Sequence, residues 1–306
     1  VRAPASAGFG AYGDGGTGAG WRAGRPLRGR HATPPPASPR VQDLVAGYPH
    51  SMGDDLSAAA AKGWAVRWEL QREQRETGRE ERFTVVGDLV ELVTDGHDRP
   101  AVLDLGCGTG SLAARLKRRM PALDVVAVDA DPVLLGLGRR MHGTQIRFVD
   151  TVIGGIRWQD DLDLDRPLDA AVSATMLHRL PERLLLEVYG RLHTLLRPGG
   201  LLVNADRLPP EDAAVAELAG EVGRRLAERH RMPGGEDWSS WWDAAAEAPE
   251  LARLFAERRR RGPAPGGENG LSLARHVDLL EKAGFGAVGT VWQSGDRCVL
   301  VAVRGE

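Results

Sequence analysis

The sequence predicts a doubly wound α/β fold, a mostly parallel sheet with helices on both faces. Three observations carry that expectation. Short apolar runs alternate with helical stretches from Ala101 to Asn204. The first run, Ala101–Leu105, enters a glycine-rich turn, Gly106-Cys107-Gly108-Thr109-Gly110, that opens an amphipathic helix over Ser111–Met120. Two further apolar runs close the chain around a Ser-Gly-Asp turn at 294–296, which is a hairpin signal.

Length and composition bound the rest. The chain has 306 residues, enough for a full core and for about two domains at most. A net charge of −2 gives no field that advertises nucleic acid or a membrane surface. Cys107 and Cys298 lie far apart and suggest neither a disulfide framework nor a metal site. No apolar run approaches the ~18 residues of a membrane helix, and the first residues lack the apolar core of a signal peptide. A cytoplasmic protein is expected, and the Ala/Arg/Gly/Leu-rich usage suggests a bacterial one.

Residues 1–40 are rich in Gly, Pro, Ala and Arg and carry a single acid, Asp14. They are expected to be a disordered tail, because so little apolar surface cannot offset ordering entropy. A basic arm touching a polyanion and a dispensable tail are both open. Residues 41–100 are expected to hold N-terminal helices: Trp64, Trp68, Leu70, Phe83, Val86, Leu89, Val90 and Val93 recur at three- and four-residue spacings over 55–92. The densely charged stretch Glu69–Arg82 between them reads as solvated. Residues 101–306 form the main domain. Its strands are expected at 101–105, 125–129, 145–149, 169–173 and 200–204, the last after an Arg-Pro-Gly-Gly turn at 197–200. Helices are expected over 132–141, 182–196 and 271–283, and closing strands at 287–292 and 297–303. Residues 211–262 break the rhythm as a helical insertion, with a Met-Pro-Gly-Gly interruption at 232–235, and read as a lid.

The glycine turn suits a nucleotide-like ligand, because glycines let the backbone approach closely and a helix start offers unpaired N–H groups. Asp104 is unusual. A central parallel strand is normally apolar on both faces, so an acid there is either hydrogen-bonded to neighbours or reserved for a cationic group. A ligand for such a sheet lies outside the carboxyl ends of its strands. Asp129, nineteen residues after Gly110, closes the second strand and can accept hydrogen bonds from both hydroxyls of a ribose. Asp131 before Pro132 reads as a helix cap.

Val102-Leu-Asp-Leu-Gly-Cys-Gly-Thr-Gly110 resembles the first motif of the class I S-adenosylmethionine-dependent methyltransferases. The segment Leu177-His178-Arg179-Leu180 resembles that family's Leu-His-x-Leu stretch. The resemblance covers about Phe83 to Arg304. It implies a Rossmann-like seven-stranded sheet with one antiparallel C-terminal strand, and S-adenosylmethionine as cofactor. It also implies Asp104 at the methionine amine, Gly106, Cys107, Gly108 and Gly110 facing the cofactor, and Asp129 with Ala130 at the ribose. Thr175 would pass the cofactor. Asp150, at the end of strand three, would meet the adenine amino group, although Asp150–Gly155 is more apolar than the family pattern. A dinucleotide-binding turn is the rival reading. It would want a third glycine at position 111, where this chain has serine.

His178 can act as a general base near neutral pH or merely bond the cofactor loop. Asp206, with Asn204 at the end of strand five, can hold a substrate cation, accept a proton or cap a helix. His193 reads as structural, and His276 as exposed or packed under the lid. Trp238, Trp241 and Trp242 share one helix face, as core, as an aromatic pocket wall or as both. Arg258–Arg261 read as a solvated run favoured by the helix macrodipole. The expected activity is methyl transfer to a small-molecule acceptor, at O, N or carboxylate, with secondary metabolism as its expected setting. A non-catalytic cofactor-binding protein and an NAD(P)-dependent oxidoreductase are the alternatives. Nucleic acid and membrane partners are not expected.

Overall fold

The computed structural model describes residues 56–76, 78–230, 235–262 and 267–306. The tail expected over 1–40 and most of the interruption at 232–235 lie outside these residues.

Seven strands form one sheet: β1 (Ala101–Leu105), β2 (Asp124–Asp129), β3 (Arg147–Asp150), β4 (Leu168–Ala174), β5 (Leu196–Arg207), β6 (Phe285–Ser294) and β7 (Arg297–Arg304). Their order across the sheet is β3-β2-β1-β4-β5-β7-β6. β1 to β5 pair in parallel, and β7 runs antiparallel between β5 and β6. The fold class expected from the sequence is therefore the one observed. The chain leaves β1 toward β2 and β3 on one side and toward β4 on the other. That reversal opens a crevice at the carboxyl ends of β1 and β4, where open α/β sheets take ligands.

β1 is buried along its whole length because helices cover both faces. On one face α2 (Arg79–Thr94) and α3 (Ser111–Arg119) supply Phe83, Val86, Val90, Leu112 and Leu116. On the other, α6 (Glu182–Leu195) and α10 (Leu273–Lys282) supply Leu185, Tyr189, Leu279 and Leu280. A third cluster lies over α4 (Pro132–His142). There Trp64 and Trp68 of α1 (Ala58–Arg75) meet Trp241 of α8 (Trp238–Glu247) and Phe255 of α9 (Ala252–Arg261). With α7 (Ala213–His230), the last two helices occupy the stretch that the sequence reads as an insertion.

Several expectations need correction. β5 begins at Leu196, which pairs with Leu168; the register then slips and resumes at Ala170↔Leu201. The Arg-Pro-Gly-Gly stretch is thus an irregularity within a strand rather than a turn before it. A one-turn helix, α5 (Trp158–Asp161), has no counterpart in the sequence reading, and exists where Trp158 is buried in the core. The charged stretch 69–82 is not solvated. Glu69, Glu76, Arg79 and Arg82 are buried, and Gly78 at φ +74° turns the chain so that α2 brings its arginines against the acids of α1. Arg79 Nη1 donates to Glu69 at 2.9 Å, Arg115 Nη2 reaches the same carboxylate at 3.3 Å, and Arg82 reaches Glu76 at 3.4 Å.

Candidate active site

The turn after β1 is held against β2, where the N–H groups of Gly106 and Cys107 both donate to the Val128 carbonyl at 2.9 and 3.0 Å. Gly106, Gly108 and Gly110 have φ of +69°, +56° and +82°. These values lie in the left-handed region, which only glycine enters without strain. At Gly106 an added Cβ would stand 2.4 Å from Met176 Cγ, so the turn also needs the missing side chain to pass the loop after β4. Cys107 is buried, and burial pushes its thiol well above the usual range.

Asp104 is 1 % exposed and accepts from the Ala113 N–H at 3.2 Å, which places it under the first turn of α3. Burial raises its carboxyl to about 7, with the Asp129 charge adding to the rise and the Ala113 bond opposing it. No cationic side chain among the described residues is paired with it. The sequence left open whether this acid is satisfied by neighbours or reserved for a cation. Among the described residues, the Ala113 N–H is its one hydrogen-bond partner.

Asp129 sits at the end of β2 and gathers three backbone donors: Gly108 at 2.8 Å, Ala130 at 2.7 Å and Asp131 at 2.9 Å. Its carboxylate thus fixes the glycine turn to its own strand end. Burial raises its pKa and those three bonds oppose the rise. Asp131 caps α4, accepting from Val133 and Leu134, as its place before Pro132 predicted. Asp150 stands opposite Asp129 in the β2–β3 register, with both carboxylate oxygens engaged by Arg261 at 2.6 and 2.9 Å.

His178 lies in the 3-10 turn Leu177–Arg179 after β4. Its Nδ1 stands 2.8 Å from Asp206 Oδ1, at ion-pair distance though off the line of an ideal hydrogen bond. Asp206 is fully buried at the end of β5. Its Oδ2 accepts the His178 backbone N–H at 3.1 Å and its Oδ1 accepts that of Arg207 at 2.8 Å. One carboxylate therefore holds both the loop and the imidazole, and leaves Nε2 on the far side of the ring. Asn269 pins the same loop from outside. Its N–H donates to the His178 carbonyl at 2.7 Å and its side chain to Leu180 at 2.9 Å.

Thr175, between β4 and that loop, has φ +59°, a strained value for a β-branched residue. Its hydroxyl accepts from Arg72 at 2.7 Å, and Glu69 of the same helix meets the Ser111 hydroxyl. α1 thus bridges the ends of β1 and β4 as a roof over the crevice. The sequence reading missed this roof. The only available signal was that Glu69, Arg72 and Glu76 share one helix face.

Of the two alternatives for His276, the exposed one falls: it is buried, its Nδ1 lies 2.7 Å from the Tyr189 hydroxyl, and its Nε2 has no partner among the described residues. Burial lowers its pKa to about 4, so it stays neutral. Of the three tryptophans, Trp241 is fully buried and packs edge-on against Trp64 and Trp68, so the core reading holds for it. Trp238 is partly buried, with Arg72 and Arg75 at 5.8 and 5.1 Å from its ring centre. His193 packs edge-on against Phe285, the structural role expected of it.

Among the described residues, no helix is long and apolar enough to cross a membrane. Nor do they contain a cluster of three or more His, Cys, Asp or Glu side chains placed to hold a metal ion.

Residues 102–200 match the model of a methyltransferase domain family. The chain is 34 % identical over 117 residues to a demethylmenaquinone methyltransferase of Thermus thermophilus, covering 37 % of this chain and 50 % of that protein. It is 42 % identical over 114 residues to an uncharacterized methyltransferase of Mycobacterium bovis, covering 36 % and 51 %. A trans-aconitate 2-methyltransferase of Deinococcus radiodurans is 29 % identical over 205 residues, 66 % of this chain and 63 % of that one. The chain thus spans about half the length of the first two and somewhat more of the third. For the segment holding the glycine turn, Asp129 and His178, the resemblance to the class I methyltransferases is borne out.

Proposed function

We propose that this protein is an S-adenosylmethionine-dependent methyltransferase that acts on a hydroxyl of a small-molecule acceptor. The observation that carries the reading is a juxtaposition at one edge of the sheet. The glycine turn after β1, the Asp129 carboxylate after β2 and the His178–Asp206 pair after β4 and β5 all open onto the same crevice. The residues present fit the cofactor's parts. Asp104 is a buried carboxylate short of a cation and suits an ammonium group, while Asp129 keeps acceptor capacity for a ribose diol. Gly106, Cys107, Gly108, Gly110, Ala130 and Thr175 line the approach with backbone. A small-molecule acceptor is supported by the names of two relatives, which act on demethylmenaquinone and trans-aconitate.

When bound, the cofactor supplies a methyl group on a sulfonium that is already a good leaving group. What the chain adds is alignment, exclusion of water and removal of a proton. The roof of α1 and the tryptophan cluster cover the crevice. Asp206, buried and 2.8 Å from Nδ1, fixes the imidazole of His178. His178 Nε2 is left to accept the hydroxyl proton as the oxygen attacks.

Incubation with labelled S-adenosylmethionine and a metabolite extract, followed by mass spectrometry, identifies the acceptor. With that acceptor, His178→Gln is expected to lower kcat about 10²- to 10⁴-fold while S-adenosylhomocysteine still binds. Full activity in that variant would remove the base role, and a methylated nitrogen or carboxylate would remove the hydroxyl assignment.

A further inference from the structure

The four arginines that end α9 do not behave alike. Arg260 pairs with Glu257 on its own helix. Arg258 and Arg261 instead reach 111 to 131 residues back along the chain, to the strand ends beside the glycine turn. Arg261 takes both oxygens of Asp150 and also donates to the Ala130 carbonyl at 3.2 Å. Arg258 donates to Asp131 at 2.8 Å, with its guanidinium carbon 4.2 Å from the centre of the Trp242 ring. One turn earlier, Leu254 packs onto Gly136 of α4, where an added Cβ would come within 2.6 Å of it. α9 is therefore seated at three successive points, and two of them are charged contacts with the rim of the candidate nucleoside site. A solvated basic run would make none of these contacts.

We propose that Arg258 and Arg261 are positioning residues that clamp α9 across the ends of β2 and β3 and so slow departure of the cofactor product from its nucleoside end. The proposal rests on placing the nucleoside of the cofactor at those strand ends. It reassigns Asp150: with both oxygens on Arg261, this carboxylate anchors the arginine. Its planar guanidinium would then stand at the rim of the nucleoside end. Arg261 is itself oriented by Glu257, which holds its Nε at 2.7 Å. Arg258 couples the clamp to the tryptophan cluster, so the seat of α9 also bears on the roof over the acceptor.

The test is the release rate of S-adenosylhomocysteine from the full chain, read by stopped-flow tryptophan emission at low salt and at about 0.5 M salt. Both ion pairs are partly exposed, so screening weakens them. Wild-type release is expected to quicken severalfold with salt. Arg258→Met with Arg261→Met is expected to release about tenfold faster at low salt and to lose most of the salt dependence. Arg261→Lys, which keeps the charge but loses the fork, is expected in between, at about threefold, and serves if the double variant does not fold. Arg183→Met, which removes an exposed pair with Glu187 on α6, is expected to match wild type. Release within twofold of wild type in both α9 variants would overturn the clamp, as would an equal acceleration in Arg183→Met. Failure of the wild-type protein to bind S-adenosylhomocysteine would overturn the cofactor reading itself, and the clamp with it.

Discussion

Replacing Glu69 with Gln removes one charge from the buried network under the roof helix and changes almost no volume. Glu69 is 7 % exposed, and its carboxylate receives Arg79 at 2.9 Å, Arg115 at 3.3 Å and the Ser111 hydroxyl. Burial alone would raise its pKa; the two arginines outweigh burial and bring it from 4.5 to about 2. That difference, at ~1.4 kcal/mol per pKa unit, amounts to about 3 kcal/mol of folding stability. The folded pKa lies below the unfolded one. The contribution is therefore complete above pH 4.5 and fades as the pH falls toward 2. Glu69→Gln is expected to lose about 3 kcal/mol at pH 7, within the range for breaking one side of a buried ion pair. Urea unfolding of both proteins at pH 7 and at pH 3 measures it, and the gap should narrow at the lower pH. A loss below about 1 kcal/mol at pH 7, or a gap equal at both pH values, would refute the claim that this network holds α1 over the crevice.

Other consequences follow from the same geometry. Because Asp104 is raised to about 7, an ammonium beside it favours the ionised form. Affinity for S-adenosylhomocysteine should therefore fall as the pH drops below 7, by up to about tenfold per unit, and Asp104→Asn should flatten the profile. Calorimetry between pH 5.5 and 8 checks this, and a flat wild-type profile contradicts it. Gly138 of α4 faces the glycine turn, and a Cβ there would stand 2.7 Å from Phe148 and 2.9 Å from the Thr109 carbonyl. Gly138→Ala is expected to cost about 1–3 kcal/mol in urea unfolding and to weaken cofactor binding. A neutral change would show that the turn has slack.

The parts of the site that were legible in the sequence are those whose chemistry is local. The glycines at 106, 108 and 110 need left-handed backbone whatever packs on them, and Asp131 caps its helix through residues two and three positions away. Asp129 was placed at its strand end by spacing alone. The parts that were not legible depend on segments meeting across the fold. Glu69–Arg82 reads as a solvated helix until Gly78 folds α2 back and pairs the charges. His276 lies on an amphipathic helix, and only the docking of α10 on α6 brings it to Tyr189. Arg258 and Arg261 acquire partners because α9 can approach α4 at Gly136. The His178–Asp206 pair lies between. Each residue was marked as a candidate separately, and only the parallel pairing of β4 with β5 makes them one unit.

The central claim is that the crevice at the ends of β1, β2 and β4 is an S-adenosylmethionine site organised by Asp129. Isothermal calorimetry of the purified chain with S-adenosylhomocysteine tests it most directly. The account predicts one site per chain with a dissociation constant in the micromolar range, weakened at least tenfold in Asp129→Ala. No heat of binding with the wild-type protein, or an affinity unchanged in Asp129→Ala, would contradict it.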